Sequence, residues 1–130
     1  MRPLVKEEGT YAHVFLYRIP KKEHDHFKSV EEKLSKVYIK HGMLGSRIYQ
    51  LGKTNTEGYM GFQAFDKALD ISSSEEIWIE TDFYPSKAEF DRIVPLIGQD
   101  QSAGPLWGEL GQITGGHTVM MGEFAQLSKE

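Results

Sequence analysis

Two strand–helix–strand units, one near each end of the chain, constrain the fold more than any other feature of the sequence. In the first unit, residues Thr10 to Ile19 are rich in β-branched and aromatic side chains, which favour a strand. Pro20 ends this run because proline cannot extend a strand ladder. Apolar residues then recur at intervals of three and four over residues 21–41, which predicts a helix with one apolar stripe. The stripe consists of Phe27, Val30, Leu34 and Val37, and His41 closes it. Residues Met43 to Leu51 predict a second strand.

The second unit begins with a third predicted strand, Glu75 to Tyr84. Ser86 and Glu89 then form a capping-box pattern, which predicts a helix from residue 87 to about residue 97. Pro95 predicts a kink or an early end of this helix, because its ring removes one backbone hydrogen bond.

The segments between the two units and before the last strand are harder to assign. Residues 53–74 fit an extended segment, a short helix or both. Residues 98–116 contain six glycines and predict a long connection with one helical turn around Trp107. Trp107 is either a mobile lid over a site or, as we favour, an anchor for the connection. Residues 117–127 predict a fourth strand.

This order of elements predicts a ferredoxin-like βαββαβ fold of the α+β class, with a four-stranded antiparallel sheet and two helices on one face. The 130 residues suit one domain, 10–130, preceded by an N-terminal arm, 1–9. Such a sheet leaves its second face bare. Because a large apolar or aromatic face is rarely left in water, we expect a homodimer.

Composition excludes several classes of function. The net charge of −4 argues against nucleic-acid binding. No apolar run approaches the roughly 18 residues of a membrane span, and no secretory signal is visible, so the cytoplasm is the default location. The absence of cysteine excludes thiol catalysis and cysteine zinc sites, and no G-x-S-x-G motif is present. We expect neither a metal nor a cofactor.

Alternation along the predicted strands separates two kinds of side chain. The aliphatic residues Ala12, Val14 and Leu16 share one face of the first strand, which we expect to meet the helices. The opposite face of the sheet then mixes aromatic and ionisable groups. We assign to it His13 and Asp82 as candidate catalytic residues, and as candidate ligand-binding residues Tyr17, Arg47, Tyr49, Trp78 and Glu80.

The fold predicts a geometry for these candidates. In the ferredoxin-like strand order, His13 and Asp82 are cross-strand neighbours, and the carboxylate should raise the pKa of the histidine. Arg47 should lie near Glu80 or Asp82 and lower the pKa of these carboxyls. Burial in a dimer alone explains the aromatic face, and so does burial together with a small-molecule cleft; we favour the first.

Short sequence segments resemble a known family. The most specific is Tyr84-Pro85-Ser86-Lys87-Ala88, supported by Ile77-Trp78-Ile79 and Lys40-His41-Gly42. These segments are similar to those of the YbaA-like family of small bacterial proteins of unknown function. The resemblance implies a dimeric α/β-barrel, in which two sheets face each other across a homodimer, and it implies no reaction.

Three classes of function remain open from the sequence. The first is a homodimer that binds a small molecule or is purely structural, since no strong catalytic motif is present. The second is a cofactor-independent enzyme, similar to a monooxygenase or an isomerase, acting on a small aromatic or carbonyl compound. Its basis is analogy alone, because dimeric α/β-barrels include such enzymes. A regulator of a partner protein is a third class.

Overall fold

A computed structural model describes residues 9–115 and 119–127. The predicted N-terminal arm, apart from Gly9, and the first two residues of the predicted fourth strand lie outside the described residues. The described strands and helices are, in order, β1 (Tyr11–Pro20), α1 (His24–Lys40), β2 (Gly45–Gln50), α2 (Phe65–Ala68), β3 (Glu75–Tyr84), α3 (Lys87–Gly98), α4 (Ala103–Thr114) and β4 (Met120–Ala125). A single 3₁₀ turn, Lys21–Glu23, leads from β1 into α1.

The four strands form one sheet in the order β2-β3-β1-β4, and every neighbouring pair is antiparallel. This order confirms the predicted ferredoxin-like fold of the α+β class. Residues directly opposite each other in an antiparallel pair share a face of the sheet. The register places His13 opposite Asp82 and Tyr17 opposite Trp78, so these four side chains lie on the same face.

The apolar stripe of α1 packs on this face. Phe27 is fully buried, and its ring centroid lies 5.2 Å from that of Tyr17 and 5.4 Å from that of Trp78. The helix is followed by Gly42, whose φ of 119° suits glycine, and a side chain there would meet Ile93. The stripe and the end of the helix therefore follow the sequence pattern.

The prediction of which face the helices cover is wrong. The core beneath α1 contains Tyr17, Ile19 and Trp78, and not the aliphatic residues Ala12, Val14 and Leu16 that we expected to meet the helices. Alternation shows that the two faces differ, but it does not show which one the helices cover. The large rings bury the most apolar area, and they are the side chains that face α1.

The aliphatic side chains therefore lie on the other face of the sheet, which we call the open face. It comprises Ala12, Val14, Leu16, Arg18, Gly45, Arg47, Tyr49, Ile77, Ile79, Thr81, Phe83, Met120, Gly122 and Phe124. Part of this face is covered, because Phe65 of α2 lies beside Leu16, Ile77 and Ile79 around a cavity of about 220 Å³.

The glycine-rich connection is also different from its prediction. Residues Ala103–Thr114 form a helix of twelve residues rather than a single turn. Leu106, Leu110 and Ile113 recur along one side of α4 and contact the core cluster beneath α1. Burial of these side chains outweighs the helix penalty of glycine, which is about 1 kcal/mol per residue relative to alanine.

Helix α3 begins as the sequence predicts, with the Ser86 side chain accepting a hydrogen bond from the Glu89 backbone N–H at 3.2 Å. It does not end early, since it continues through Pro95 to Gly98. Its buried residues Phe90, Ile93 and Ile97 form a second core cluster with Met43, Tyr84 and Ala103. Within the described residues, none of the helices has the length and apolar character needed to span a membrane.

Candidate functional site

A cavity of about 300 Å³ lies between the helix-covered face of the sheet and helices α1 and α4. Its described lining residues are Phe15, Tyr17, Glu31, Leu34, Ser35, Tyr38, Met43, Glu80, Asp82, Trp107, Leu110, Gly111, Thr114, Val119 and Met121. Trp107 and Met121 are the most exposed large side chains of this lining, at 39% and 70%. The mouth of the cavity therefore lies between α4 and β4.

Three acidic side chains converge on this cavity, and we call them the carboxyl cluster: Glu31 from α1 and Glu80 and Asp82 from β3. They are 2%, 6% and 1% exposed, respectively. Glu80 and Asp82 point the same way because they are two residues apart on one strand. Both carboxyl oxygens of Asp82, and one oxygen of each glutamate, are buried without a hydrogen-bond partner among the described residues. We call this space the carboxyl cavity.

Burial controls the charge of the cluster. The pKa of Asp82 and that of Glu31 lie far above the usual range of a carboxyl, first because burial disfavours the ionised form. The neighbouring Glu80 raises both values further. Asp82 and Glu31 therefore favour the protonated form at neutral pH.

Aromatic side chains form much of the remaining wall. Burial raises the pKa of Tyr17 well above its usual range and that of Tyr38 to about 12, so both hydroxyls stay protonated. The indole Nε1–H of Trp107 donates a hydrogen bond to the Tyr38 hydroxyl at 3.0 Å. This bond ties α4 to α1, as expected of an anchoring tryptophan.

His13 lies on the predicted face and directly opposite Asp82, yet it is not among the described residues that line the carboxyl cavity. Its ring centroid lies 4.3 Å from that of Phe15 and 5.2 Å from that of Phe90. Burial lowers the pKa of His13 and outweighs the opposing charges of Glu123 and Glu80. The predicted rise of the histidine pKa is therefore wrong.

The other predicted residues divide between three places. Tyr17, Glu80 and Asp82 line the carboxyl cavity. Trp78 is a core residue, whose Nε1–H donates to Glu76 at 2.9 Å. Its predicted role in a ligand-binding wall does not match this position.

Arg47 and Tyr49 lie on the opposite side of the sheet from the carboxyl cluster, so their predicted placement is wrong. The register pairs Arg47 with Thr81 and Ser46 with Asp82. The Arg47 guanidinium carbon lies 5.6 Å from the centroid of the Phe83 ring. A shift of one residue in a strand moves every side chain to the other face, and the sequence of β2 does not fix this choice.

Sequence reasoning missed Glu31 and Tyr38. Both continue the helical spacing of the stripe, since Glu31 is four residues after Phe27 and Tyr38 is four residues after Leu34. An acid at a core position of an amphipathic helix was the available signal. The wall residues on α4 were missed because the helix itself was not predicted.

The carboxyl cluster does not have the arrangement of a metal centre. In the part of the chain that the structure describes, no group of three or more His, Asp or Glu side chains is placed to hold a metal ion. The histidines of α1 have other partners: His24 Nδ1 lies 2.9 Å from Glu76 Oε1, and His26 Nε2 lies 3.0 Å from Glu109 Oε1.

Two solved structures are similar to this fold. A dimeric ferredoxin-like protein from an uncultured marine organism has a TM-score of 0.57 and 12% sequence identity, covering 96% of this chain and 94% of that chain. A NIPSNAP family protein of unknown function from Agrobacterium tumefaciens strain C58 has a TM-score of 0.53 and 11% identity, covering 93% of each chain. At these identities the similarity shows the fold alone. No curated protein matches the sequence.

A family assignment comes from the sequence itself. Residues 10–109 match the family of proteins of unknown function DUF1428. The match extends from β1 into α4 and includes all three residues of the carboxyl cluster. Because it covers more than half of the sequence, this chain belongs to DUF1428, a family of proteins of unknown function.

Proposed function

We propose that this protein is a homodimer that binds a small organic molecule in the carboxyl cavity. The observation that carries the proposal is the buried carboxyl cluster, whose unpartnered oxygens line a cavity with aromatic walls. A buried polar atom left without a hydrogen bond costs about 1–3 kcal/mol. A ligand with polar hydrogens would remove this cost, and about 300 Å³ is enough for a compact molecule.

The open face supports the homodimer. Tyr49, Met120 and Phe124 on this face are each more than half exposed in one chain. Large apolar side chains left exposed on one face of a sheet are typical of an interaction site. One solved structure with the same fold is described as a dimeric ferredoxin-like protein, which also favours a second copy of the chain as the occupant.

Native mass spectrometry of freshly purified protein tests both parts of the proposal. We expect the dimer mass, and an added mass that is released when the protein is denatured. Unliganded protein recovered after mild unfolding and refolding should take the molecule up again from a cell extract. A refolded protein that takes up nothing would contradict the binding function.

A cavity-filling variant locates the bound molecule. Gly111 lines the carboxyl cavity, and a Cβ atom added there would meet nothing within 4 Å. We therefore expect Gly111→Leu to fold and to lose the added mass, because its side chain occupies the cavity. Gly108→Leu is the matched control, since Gly108 is on the same helix, has the same free space and is not among the described lining residues. Loss of the added mass in both variants, or in neither, would place the molecule elsewhere.

A cofactor-independent enzyme is the second candidate, favoured by the buried carboxyl cluster. Because its pKa is raised, Asp82 would act as a proton donor at neutral pH rather than as a general base. The test is the conversion of the molecule identified by mass spectrometry, with wild type compared with Asp82→Asn. A product formed by wild type alone would favour the enzyme over the binding protein.

A further inference from the structure

The described wall of the carboxyl cavity contains acids but no basic side chain. Among residues 9–115 and 119–127, no lysine, arginine or histidine lines it. The titratable groups that surround the cluster from β1, α1 and β3 are His13, Tyr17, Glu31, Tyr38, Glu80, Asp82 and Tyr84. Burial lowers the pKa of His13 and so favours its neutral form. All of these groups are neutral or negative. An anionic ligand would add a like charge, whereas a cation would meet uncompensated negative charge in a site of low dielectric constant.

The apolar part of the wall also suits a cation. The rings of Phe15, Tyr17, Tyr38 and Trp107 all line the carboxyl cavity. Aromatic faces attract organic cations through the quadrupole of the ring, and this attraction grows when the site excludes water. A wall that combines acids and aromatic rings is therefore complementary to a cationic group that carries apolar substituents.

The burial of Asp82, which lines the carboxyl cavity, is a second observation that points to a ligand. Asp82 is 1% exposed, and neither of its oxygens has a hydrogen-bond partner among the described residues. No described group of acids is placed to hold a metal ion, which favours an organic cation over an inorganic one.

We propose that the ligand of the carboxyl cavity carries a compact organic ammonium group, which the carboxyl cluster binds and the aromatic rings surround. This inference rests on the proposed function. The proposed ligands are small amines or quaternary ammonium compounds with an apolar part.

We expect binding of such a cation to release protons. In the free protein, Glu31 and Asp82 are protonated because of burial and because of Glu80. A cation beside them stabilises the ionised forms, so each carboxyl that ionises releases one proton to the solvent. The affinity for a permanent cation should then increase with pH, by up to about tenfold per pH unit for each proton released.

The experiment is isothermal titration calorimetry of the full chain with three probes of similar size: benzyltrimethylammonium, benzyl alcohol and benzoate. We expect binding of benzyltrimethylammonium to be at least about tenfold tighter than binding of the other two, as for a charge-assisted contact. Titrations in two buffers with different enthalpies of ionisation should show proton release for the cation alone. This measurement needs no variant.

Substitutions assign the effect to the cluster. Glu31→Gln and Asp82→Asn keep the shape of the side chains and should each weaken binding of benzyltrimethylammonium by about tenfold and reduce proton release. Glu32→Gln is the matched control, because Glu32 follows Glu31 on the same helix and is exposed. It should leave both measurements unchanged.

The outcomes separate the inference from the proposed function. Equal binding of benzyl alcohol and benzyltrimethylammonium without proton release would overturn the ammonium assignment and leave the binding function intact. Binding of Mg²⁺ or Ca²⁺ to wild type, lost in Asp82→Asn, would replace it with a metal site. Failure of all three probes, together with no molecule retained in native mass spectrometry, would overturn both.

Discussion

The carboxyl cluster makes the stability of this protein depend on pH in an unusual direction. Most paired acids in proteins have lowered pKa values and lose stability as the pH falls. Glu31 and Asp82 have raised pKa values, so the folded state holds more protons than the unfolded state above about pH 4. The free energy of unfolding should therefore fall as the pH rises above the usual carboxyl range.

We predict that unfolding of the ligand-free protein requires less denaturant at pH 8 than at pH 5. Each extra proton bound by the folded state contributes a slope of about 1.4 kcal/mol per pH unit. The double variant Glu31→Gln, Asp82→Asn should have a flatter pH profile, because neither amide titrates. The difference between the two profiles removes other titrating groups, such as His26, from the comparison. Parallel profiles of wild type and variant would show that the two carboxyls ionise normally in the fold.

At the level of single residues, strand alternation predicted part of the site. Tyr17, Glu80 and Asp82 lie in the carboxyl cavity as their shared face requires. The predicted face of Arg47 was wrong because nothing in the sequence of β2 fixes the register of this strand against β3. Glu31 was missed because charged residues on a helix usually belong to its solvent-facing side.

The apolar stripe of helix α1 contains residues that are buried and that should therefore stabilise the fold. Leu34 is 6% exposed, and it lies in both the core and the wall of the cavity. We predict that Leu34→Ala lowers the free energy of unfolding by about 2–5 kcal/mol, the range for a buried leucine. Chemical denaturation measures this change.

Ile39→Ala on the same helix is the control for that prediction. Ile39 is exposed, so its truncation should change stability by no more than about 0.5 kcal/mol. Similar losses from the two substitutions would mean that the stripe does not define the buried side of α1.

The elements that the sequence predicted best are those whose local signals agree. The third strand has the predicted bounds, Glu75–Tyr84, and the Ser86 cap marks the next helix. Helix α4 has the opposite character, because its glycines argue locally against a helix while Leu110 and Ile113 favour one through burial. Tertiary packing makes this segment helical, and the contacts that do so cannot be read from a single sequence.

At the scale of the whole molecule, the two faces of the sheet have different surroundings. One face combines with the helices to enclose the core and the carboxyl cavity, and the open face is left for another surface. The sequence predicted that the faces would differ and that one would be left bare. It did not predict which, because both faces are apolar enough to be buried.

We predict that Phe124→Asp converts the proposed homodimer into a monomer, because the substitution places a charge on the open face at a side chain that is 58% exposed in one chain. A charge buried without a partner in an interface is strongly unfavourable. Light scattering at micromolar concentration should give half the wild-type mass, with the circular dichroism spectrum unchanged. Lys36→Asp, on the exposed side of α1, should remain dimeric. A wild-type mass of one chain would show that the open face pairs with something other than a second copy.

The composition of α4 has a consequence for how molecules enter and leave. Its twelve residues include three glycines, at 104, 108 and 111, and its backbone therefore contributes little to keeping it helical. What holds it in place is contact with α1 and the sheet, including the bond between Trp107 and Tyr38. We therefore expect brief local unfolding of this helix to cost less free energy than opening α1. Because α4 forms part of the cavity wall, we expect the frequency of its local unfolding to set the rate at which a bound molecule exchanges.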